Sequence, residues 1–440
     1  MAAKGKKIKG SGTFLDRLGG DKVVWIIVLC LVMVSLVSIF SSTSLLATQQ
    51  NVSRLSIAKG QLLTALGGLL IVYLFYKIGN AKLFRFVSRF GFAASLLLLV
   101  LLVALSKLQP HGVEVPFVRA VELNGAYRWL KVFGIQISVY EFVKVFMVMY
   151  VAWAVDYLKT ARFKWTHNEF VKELVYIYVP VLAACALVLV GGTSSAVFMG
   201  GVLLITMLFG GVRFKNVLLV GAAGAVALLG AYGLYRATRY NENPMFKRFA
   251  TVESRSMDWE ERFKQAEPGT EEYYEALDKI RQPYGAKIAL KEGGLIGKGP
   301  GQSTQKYKVS VIYEDYMFSF IVEEYGLLGG IAVIILYLSL MARGSIIVRN
   351  CEKTYEKVLV AGLTVLIVGQ AMFHIVINCD LGILTGQTLP LISHGRSSFI
   401  CFSAAFGMIL SLSKKVEKKI EKESADADPL IDLDISEYGV

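Results

Sequence analysis

Apolar residues along this chain come in long blocks, not in strict alternation. Ten blocks stand out, at roughly 23–43, 57–78, 86–106, 138–158, 173–191, 194–211, 216–235, 316–342, 356–378 and 397–413. About twenty apolar residues match the roughly 30 Å of hydrocarbon in a bilayer. A backbone in lipid must satisfy its own hydrogen bonds, so each block predicts a helix. The fifth and sixth blocks are divided only by Gly191-Gly192-Thr193-Ser194-Ser195, which leaves room for a tight turn. The expected fold class is an all-α polytopic membrane protein with about ten transmembrane helices. The membrane domain spans 23–413, between a basic cytoplasmic segment, 1–22, and a charged cytoplasmic tail, 414–440. The basic start followed by Val23–Phe40 also suggests a signal peptide. The apolar run is too long for that, and no small-residue cleavage site follows it.

Lys and Arg in the short loops set the orientation. With the N-terminus inside, the inner loops hold Lys77, Lys82 and Arg85; Lys159, Arg162 and Lys164; Arg213 and Lys215; and Arg343, Arg349 and Lys353. Ten spans return the C-terminus to the same side, where Lys414, Lys415, Lys418 and Lys419 follow. The residues after Glu421 are acidic and predict a disordered tail.

One polar stretch is anomalous. Arg236–Asp315 is about eighty residues long and falls outside, and connections of that length usually carry function. Its charge is segmented: Tyr235–Arg255 is basic, Asp258–Asp278 is acidic and helix-like, and Lys279–Lys308 is basic. Such a stretch suits either anionic lipid head groups or a solvated lid.

Composition agrees with the blocks. The chain is 55% hydrophobic and 18% charged, well under the quarter usual for soluble domains. The net charge of +13 is explained by loop bias, with no nucleic-acid partner required. The five cysteines are scattered without a CxxC, and the four histidines lack ligand spacing, so neither a disulfide nor a zinc site is expected.

Several polar residues stand where they are costly. Glu141 and Lys144, three apart, share one face of the fourth span. Ionisable groups within a span face the bundle interior and default to function, although an ion pair locking two helices fits as well. Glu323 and Glu324 sit in the eighth span, more than one turn beyond Asp315. They point roughly 100° apart, so at most one is expected to face a given cavity. Gln282-Pro283-Tyr284-Gly285 and Gly293–Gln302, with Lys298, are glycine-dense. This composition suits either backbone contact with phosphate or a flexible turn. The spacing is not that of a Walker loop. Asp315, flanked by Tyr313 and Tyr316, stands at the lipid–water boundary. It reads as a general base of raised pKa or as a helix N-cap. A second outer loop, Asn378–Ser398, contains Ser393, Arg396 and Ser397. Arg396 suits either a phosphate or an interfacial anchor.

At these positions the chain resembles the SEDS proteins (shape, elongation, division and sporulation), the FtsW and RodA group of peptidoglycan glycosyltransferases. Asn124–Leu130 followed by Glu141-Phe142-Val143-Lys144 resembles the family's NGxxRW…EFxK. Gln282 with Gly293–Gln305 resembles its Q…GGxxGxGxGxSxQ. Asp315–Gly329 and Thr385–Ser398 resemble its xDFxFxxxxEExGLxG and TGxxLPFISYGGSS. The basic start before one long span is most similar to the division members, FtsW.

The resemblance implies a lipid II polymerase on the outer face of the cytoplasmic (inner) membrane, serving cell division. Its partners would be a class B penicillin-binding protein and other division-complex proteins. Asp315 falls on the family's catalytic aspartate, and Arg128, Glu141 and Lys144 fall on positions tied to activity. Substrate contacts are expected from these three and from Gln282, Lys298, Ser393, Arg396 and Ser397. The transfer would invert the anomeric centre with undecaprenyl pyrophosphate as leaving group; the cofactor stays open, a divalent cation such as Mg²⁺ or Mn²⁺ being one candidate to assist it. Two other readings share the membrane fold: a lipid II flippase and a non-catalytic division scaffold. The chain departs from the family pattern at several points. The QPDxGT turn is Val190–Ser195 here, without its Pro and Asp. His394 replaces the usual Tyr, Arg396 the usual Gly, and His374 a common Asn.

Overall fold

Polar residues cap several of the long helices. In the computed structural model, Asp21 starts α1 (Lys22–Ser42), its Oδ1 accepting from Val23 N at 3.0 Å and Val24 N at 3.2 Å. Ser53 caps α3 (Arg54–Ile78), which follows the short α2 (Ser44–Gln49), and Asn80 caps α4 (Ala81–Leu108). Such side chains satisfy amide groups that the first turn leaves open. The structure describes residues 18–109, 115–123, 126–238, 249–251, 253–254, 257, 259–382 and 385–426. Most of the basic start, the acidic residues after 426 and Asn124-Gly125 lie outside them, as does much of the basic stretch after Tyr235.

After α4 comes a feature that the apolar blocks do not announce, an antiparallel sheet of β1 (Val118–Leu123), β2 (Ala126–Val132) and β3 (Ile135–Ser138). Four long helices follow: α5 (Val139–Thr160), α6 (Glu169–Gly191), α7 (Thr193–Phe209) and α8 (Phe214–Thr238). The large loop contributes α9 (Trp259–Gln265) and α10 (Glu271–Gly293). Three long helices complete the bundle: α11 (Met317–Asn350), α12 (Thr354–Asn378) and α13 (Arg396–Asp426).

All ten expected spans are helical. Eight are long and apolar enough to cross a membrane, and α7 is a shorter apolar helix. The tenth, α5, carries Glu141, Lys144, Asp156 and Lys159, which lower its apolarity, yet most of its side chains are buried. The most apolar windows of α12 and α13 are 78% buried, whereas that of α8 is 6% buried. The former are therefore interior helices, and α8 faces the lipid. This is a multi-pass membrane protein.

The beginning and end of the bundle meet. Gly20 N donates to the Glu417 carboxylate, Asp21 N donates to Ser413 Oγ at 2.9 Å, and Arg343 pairs with Asp21 at 2.6 Å. Lys415 pairs with Glu356 at the same end, as the even number of spans requires. The sheet, α2 and the large loop lie at the other end.

Two features of the loop differ from the sequence reading. Gln282–Gly285 lies inside α10 instead of in an open turn, because Gly285 packs against Val309; a Cβ there would come within 2.4 Å of Val309 Cγ2. The eighth span is also broken. Gly326 has φ 70° and ψ −175°, dividing α11 into two helical pieces. The glycine-dense strip lies against this break, with Leu327 N donating to Gly294 O at 2.9 Å and Lys298 N to Glu323 O at 2.9 Å. A Cβ at Gly293, Gly297 or Gly326 would meet backbone atoms at 2.1–2.3 Å. These glycines permit close backbone approach within the protein itself.

Candidate active site

Asp315 closes the large loop on a helical turn whose Asp315 N donates to Val311 O at 3.0 Å. It does not cap α11: Tyr316 precedes Met317, and no side chain caps that end. Asn378, the last residue of α12, fixes the position. Its Nδ2 donates to Asp315 O at 3.0 Å, and its Oδ1 accepts from Ser319 N and Oγ at 3.1 and 3.0 Å.

Across from Asp315 runs the second outer loop. A Cβ at Gly386 would stand 3.5 Å from Asp315 Oδ2 and 3.6 Å from Arg128 Nη1. Carboxylate and guanidinium therefore face the same bare stretch of backbone, which a larger residue would fill. Arg128 reaches it from β2. Its Nε donates to Gly191 O at 3.2 Å, and its Nη2 lies 3.3 Å from where a Gly192 Cβ would be. The double glycine between α6 and α7 thus makes space for the guanidinium.

Lys144 lies deeper and is 3% exposed. Its Nζ donates to Glu141 Oε1 at 2.8 Å, Gln370 Oε1 at 2.5 Å and Gln387 Oε1 at 3.3 Å. Gln387 Nε2 in turn donates to Ser195 Oγ at 3.0 Å. The pair expected on one helix face thus joins α5, α7, α12 and the outer loop. Neither Gln370 nor Gln387 was singled out in the sequence. Only their position within apolar or loop surroundings could have drawn attention to them.

The outer loop is tied down on both sides. Ser393 Oγ donates to Glu314 O at 2.8 Å, beside Asp315. Ser397 Oγ accepts from Ser138 N at 3.0 Å, joining the start of α13 to the end of β3. His394 N donates to Tyr313 O at 2.9 Å, and the His394 ring meets Tyr313 edge-on at 5.7 Å. His374 Nδ1 lies 2.7 Å from Gln387 O. Arg396 is exposed beside Gly60 of α3 and forms no ion pair among the described residues.

Two expected site residues lie elsewhere. Lys298 is committed to Glu323 at 2.8 Å and to Glu292, so it anchors the glycine strip to α11. Burial opposes its charge, but these two carboxylates hold its amine above the ordinary lysine value. Gln282 Nε2 donates to Ser310 Oγ at 3.0 Å, on the outer surface of the loop. Glu323 and Glu324 were expected to face different surroundings. Both are fully buried, and their hydroxyl partners come from different elements: Ser303 Oγ of the strip donates to Glu323 at 2.5 Å, and Ser41 Oγ of α1 donates to Glu324 at 2.5 Å.

The electrostatics next to Asp315 are unusual. Burial, helped by the neighbouring Asp315 charge, pushes the Glu314 carboxyl up to about 8. Burial, with Glu314 and Asp315, raises Tyr313 to about 12. Burial, with Arg396, lowers His394 to about 4, so this ring is neutral near pH 7. Gln61 Nε2 already donates to Ser35 Oγ at 2.9 Å, so its Oε1, 3.1 Å from His394 Nδ1, accepts a hydrogen bond from the ring N–H. No three His, Cys, Asp or Glu residues cluster as metal ligands among the described residues. A cation held by a protein-only ligand set does not fit them.

The fold and site define a polytopic membrane protein with a carboxylate and a guanidinium converging at one membrane face. The chain belongs to the cell cycle protein family of FtsW, RodA and SpoVE, whose pattern matches residues 21–418. The FtsW of Trichlorobacter lovleyi, named a probable peptidoglycan glycosyltransferase, is 25% identical over 89% of this chain and 93% of its own length. The stage V sporulation protein E of Bacillus subtilis is 26% identical over 90% of this chain and 97% of its own length. The match to the FtsW of Caulobacter vibrioides is 36% identical and spans 33% of that protein's length; that to the FtsW of Pseudomonas fluorescens is 28% identical and spans 66%. Among solved structures, the fold matches a chain of a peptidoglycan synthase complex at TM-score 0.62, with 19% identity over 90% of this chain and 98% of that one. It matches the rod shape determining protein RodA of Thermus thermophilus at TM-score 0.57, with 20% identity over 91% and 98%.

Proposed function

We propose that this chain is a peptidoglycan glycosyltransferase that polymerises lipid II on the outer face of the cytoplasmic membrane during division. The observation that carries the reading is the meeting of Asp315 and Arg128 over Gly386, at the end of the bundle opposite the contact of Gly20 with Glu417. Family membership and the names of relatives matched over nearly their whole length support it.

In this mechanism Asp315 accepts the proton of the acceptor sugar's hydroxyl. The freed oxygen bonds to the anomeric carbon of the donor strand, and the bond from that carbon to the lipid pyrophosphate breaks. Attack from the opposite face inverts the centre. Base and hydroxyl need hydrogen-bond proximity. The charge growing on the pyrophosphate needs a fixed cation, supplied by Arg128 with Arg396 on the α3 side. Lys144 is bound by three side chains and acts by holding α5, α12 and the Gln387 loop in register. A class B penicillin-binding protein serves as partner.

The test is reconstitution of the purified chain with a class B transpeptidase and labelled lipid II. Asp315→Ala should yield no polymer while inserting and copurifying normally. Wild-type yield from that variant would overturn the assignment. Translocation of lipid II without polymer by the unmodified chain would favour the flippase.

A further inference from the structure

Two shallow clefts at the outer end share one wall. The first, about 450 Å³, is lined by Thr48, Asn51 and Arg54 from the α2–α3 connection. The second, about 160 Å³, is lined by Gln49, Arg281, Gln282 and Lys308. Tyr307 lines both, making one groove. This tyrosine is 53% exposed, and the Lys306 ammonium, itself buried, lies 5.4 Å from its ring centre. The hydrogen bond from Gln282 to Ser310 forms the floor, and Ser310 directly precedes the turn that carries Asp315.

The chemistry of the groove is selective. An exposed aromatic face surrounded by amides and hydroxyls suits a ligand with alternating apolar faces and hydroxyl edges. A sugar ring has that character. Arg54, Arg281 and Lys308 form no ion pairs among the described residues, and Asp278 is the one acid on the walls. The groove is therefore net cationic and favours a saccharide with carboxylate side arms over a neutral one. Ala47, Val52 and Leu45 are the apolar members of a lining that is otherwise polar or aromatic, which suits a hydroxyl-bearing ligand better than a lipid chain.

We propose that this groove is a glycan-strand subsite. It holds sugar units of the growing strand beyond the reacting pair, with Tyr307 as the stacking platform and Arg54, Arg281 and Lys308 meeting the strand's carboxylates. The assignment rests on the glycosyltransferase reading for its substrate. Its consequence is retention: a strand held here stays on the enzyme between additions, so the groove sets product length and leaves formation of the first bond unaffected.

Two measurements on the full chain test it. In proteoliposomes with the transpeptidase partner, Tyr307→Ala should shorten the strands several-fold while the initial rate stays within about twofold, and Tyr307→Trp should restore length. Strands of wild-type length from Tyr307→Ala, or an equal loss of initial rate, would overturn the proposal. The second measurement needs no turnover: binding of soluble glycan fragments with intact stem peptides, released by a muramidase. The unmodified chain should bind them, and Tyr307→Ala or Arg54→Ala with Arg281→Ala should weaken binding about tenfold, near 1.4 kcal/mol. No binding by the unmodified chain would also overturn it. Tyrosine-dependent fragment binding without any polymer would instead leave the groove in place and refute the polymerase. Weakened transpeptidase copurification with unchanged strand length would mark the groove as a protein interface and refute the subsite.

Discussion

Lys144 shows how one residue can be costly and fixed at once. Its ammonium is nearly inaccessible, and three side-chain oxygens surround it. Removing one member of a buried ion pair leaves the other charge uncompensated, typically costing about 3–5 kcal/mol. Lys144→Ala should therefore lower the melting temperature of the detergent-solubilised protein. Double substitution with Glu141→Gln should recover part of the loss. A single variant as stable as wild type would show that the network is dispensable. Glu314 offers a different test. Its carboxyl stays protonated in the folded protein up to about 8, against 4.5 for the free group. Between those values the unfolded chain releases a proton that the folded chain keeps, so stability falls as pH rises. Above about 8 both forms are charged and this slope ends. Glu314→Gln fixes the neutral form and should flatten that part of the melting-temperature profile. An unchanged slope would mean that another group titrates there.

At the scale of elements, the break in α11 is held open by backbone contact. Gly326 combines a left-handed φ with a neighbour 2.2 Å from any Cβ, so Gly326→Ala has to move either α11 or the glycine strip. Strain of this kind costs about 1–3 kcal/mol before repacking is counted. The expected result is reduced thermal stability and faster proteolysis within residues 293–307. Lys298→Ala should produce the same signature in milder form, because this lysine holds the strip to Glu323. If Lys298→Ala instead abolished polymer formation at unchanged stability, the lysine would belong with the substrate contacts. The apolar runs announced the spans because lipid imposes a length and a composition on every crossing helix. They were silent about the three-stranded sheet. Val118–Leu123 and Ala126–Val132 are short and carry Arg119, Glu122, Arg128 and Lys131, and their pairing depends on what lies beneath them.

For the whole molecule, orientation is the main expectation. The two described ends of the chain share one face, and the site lies at the opposite one. Cys379 is exposed at the site end, and Cys351 is buried near the other. In spheroplasts, a membrane-impermeant maleimide should label Cys379 without lysis, and a C-terminal tag should be protected from added protease. The reverse pattern would put Asp315 in the cytoplasm, away from the wall.

The sequence by itself determined the membrane class, the ten spans, the even return of the chain and the residues worth attention. Hydrocarbon thickness and the cost of buried charge act locally, so they leave marks that can be read along the chain. Only the tertiary structure decided which of those residues share a site. Asp315, Arg128 and Gly386 are far apart in sequence and meet because β2, the double-glycine turn and the Asn378 anchor converge. Lys298 and Gln282 carry the same kinds of groups yet fold elsewhere, because their partners, Glu323 and Ser310, reach them first.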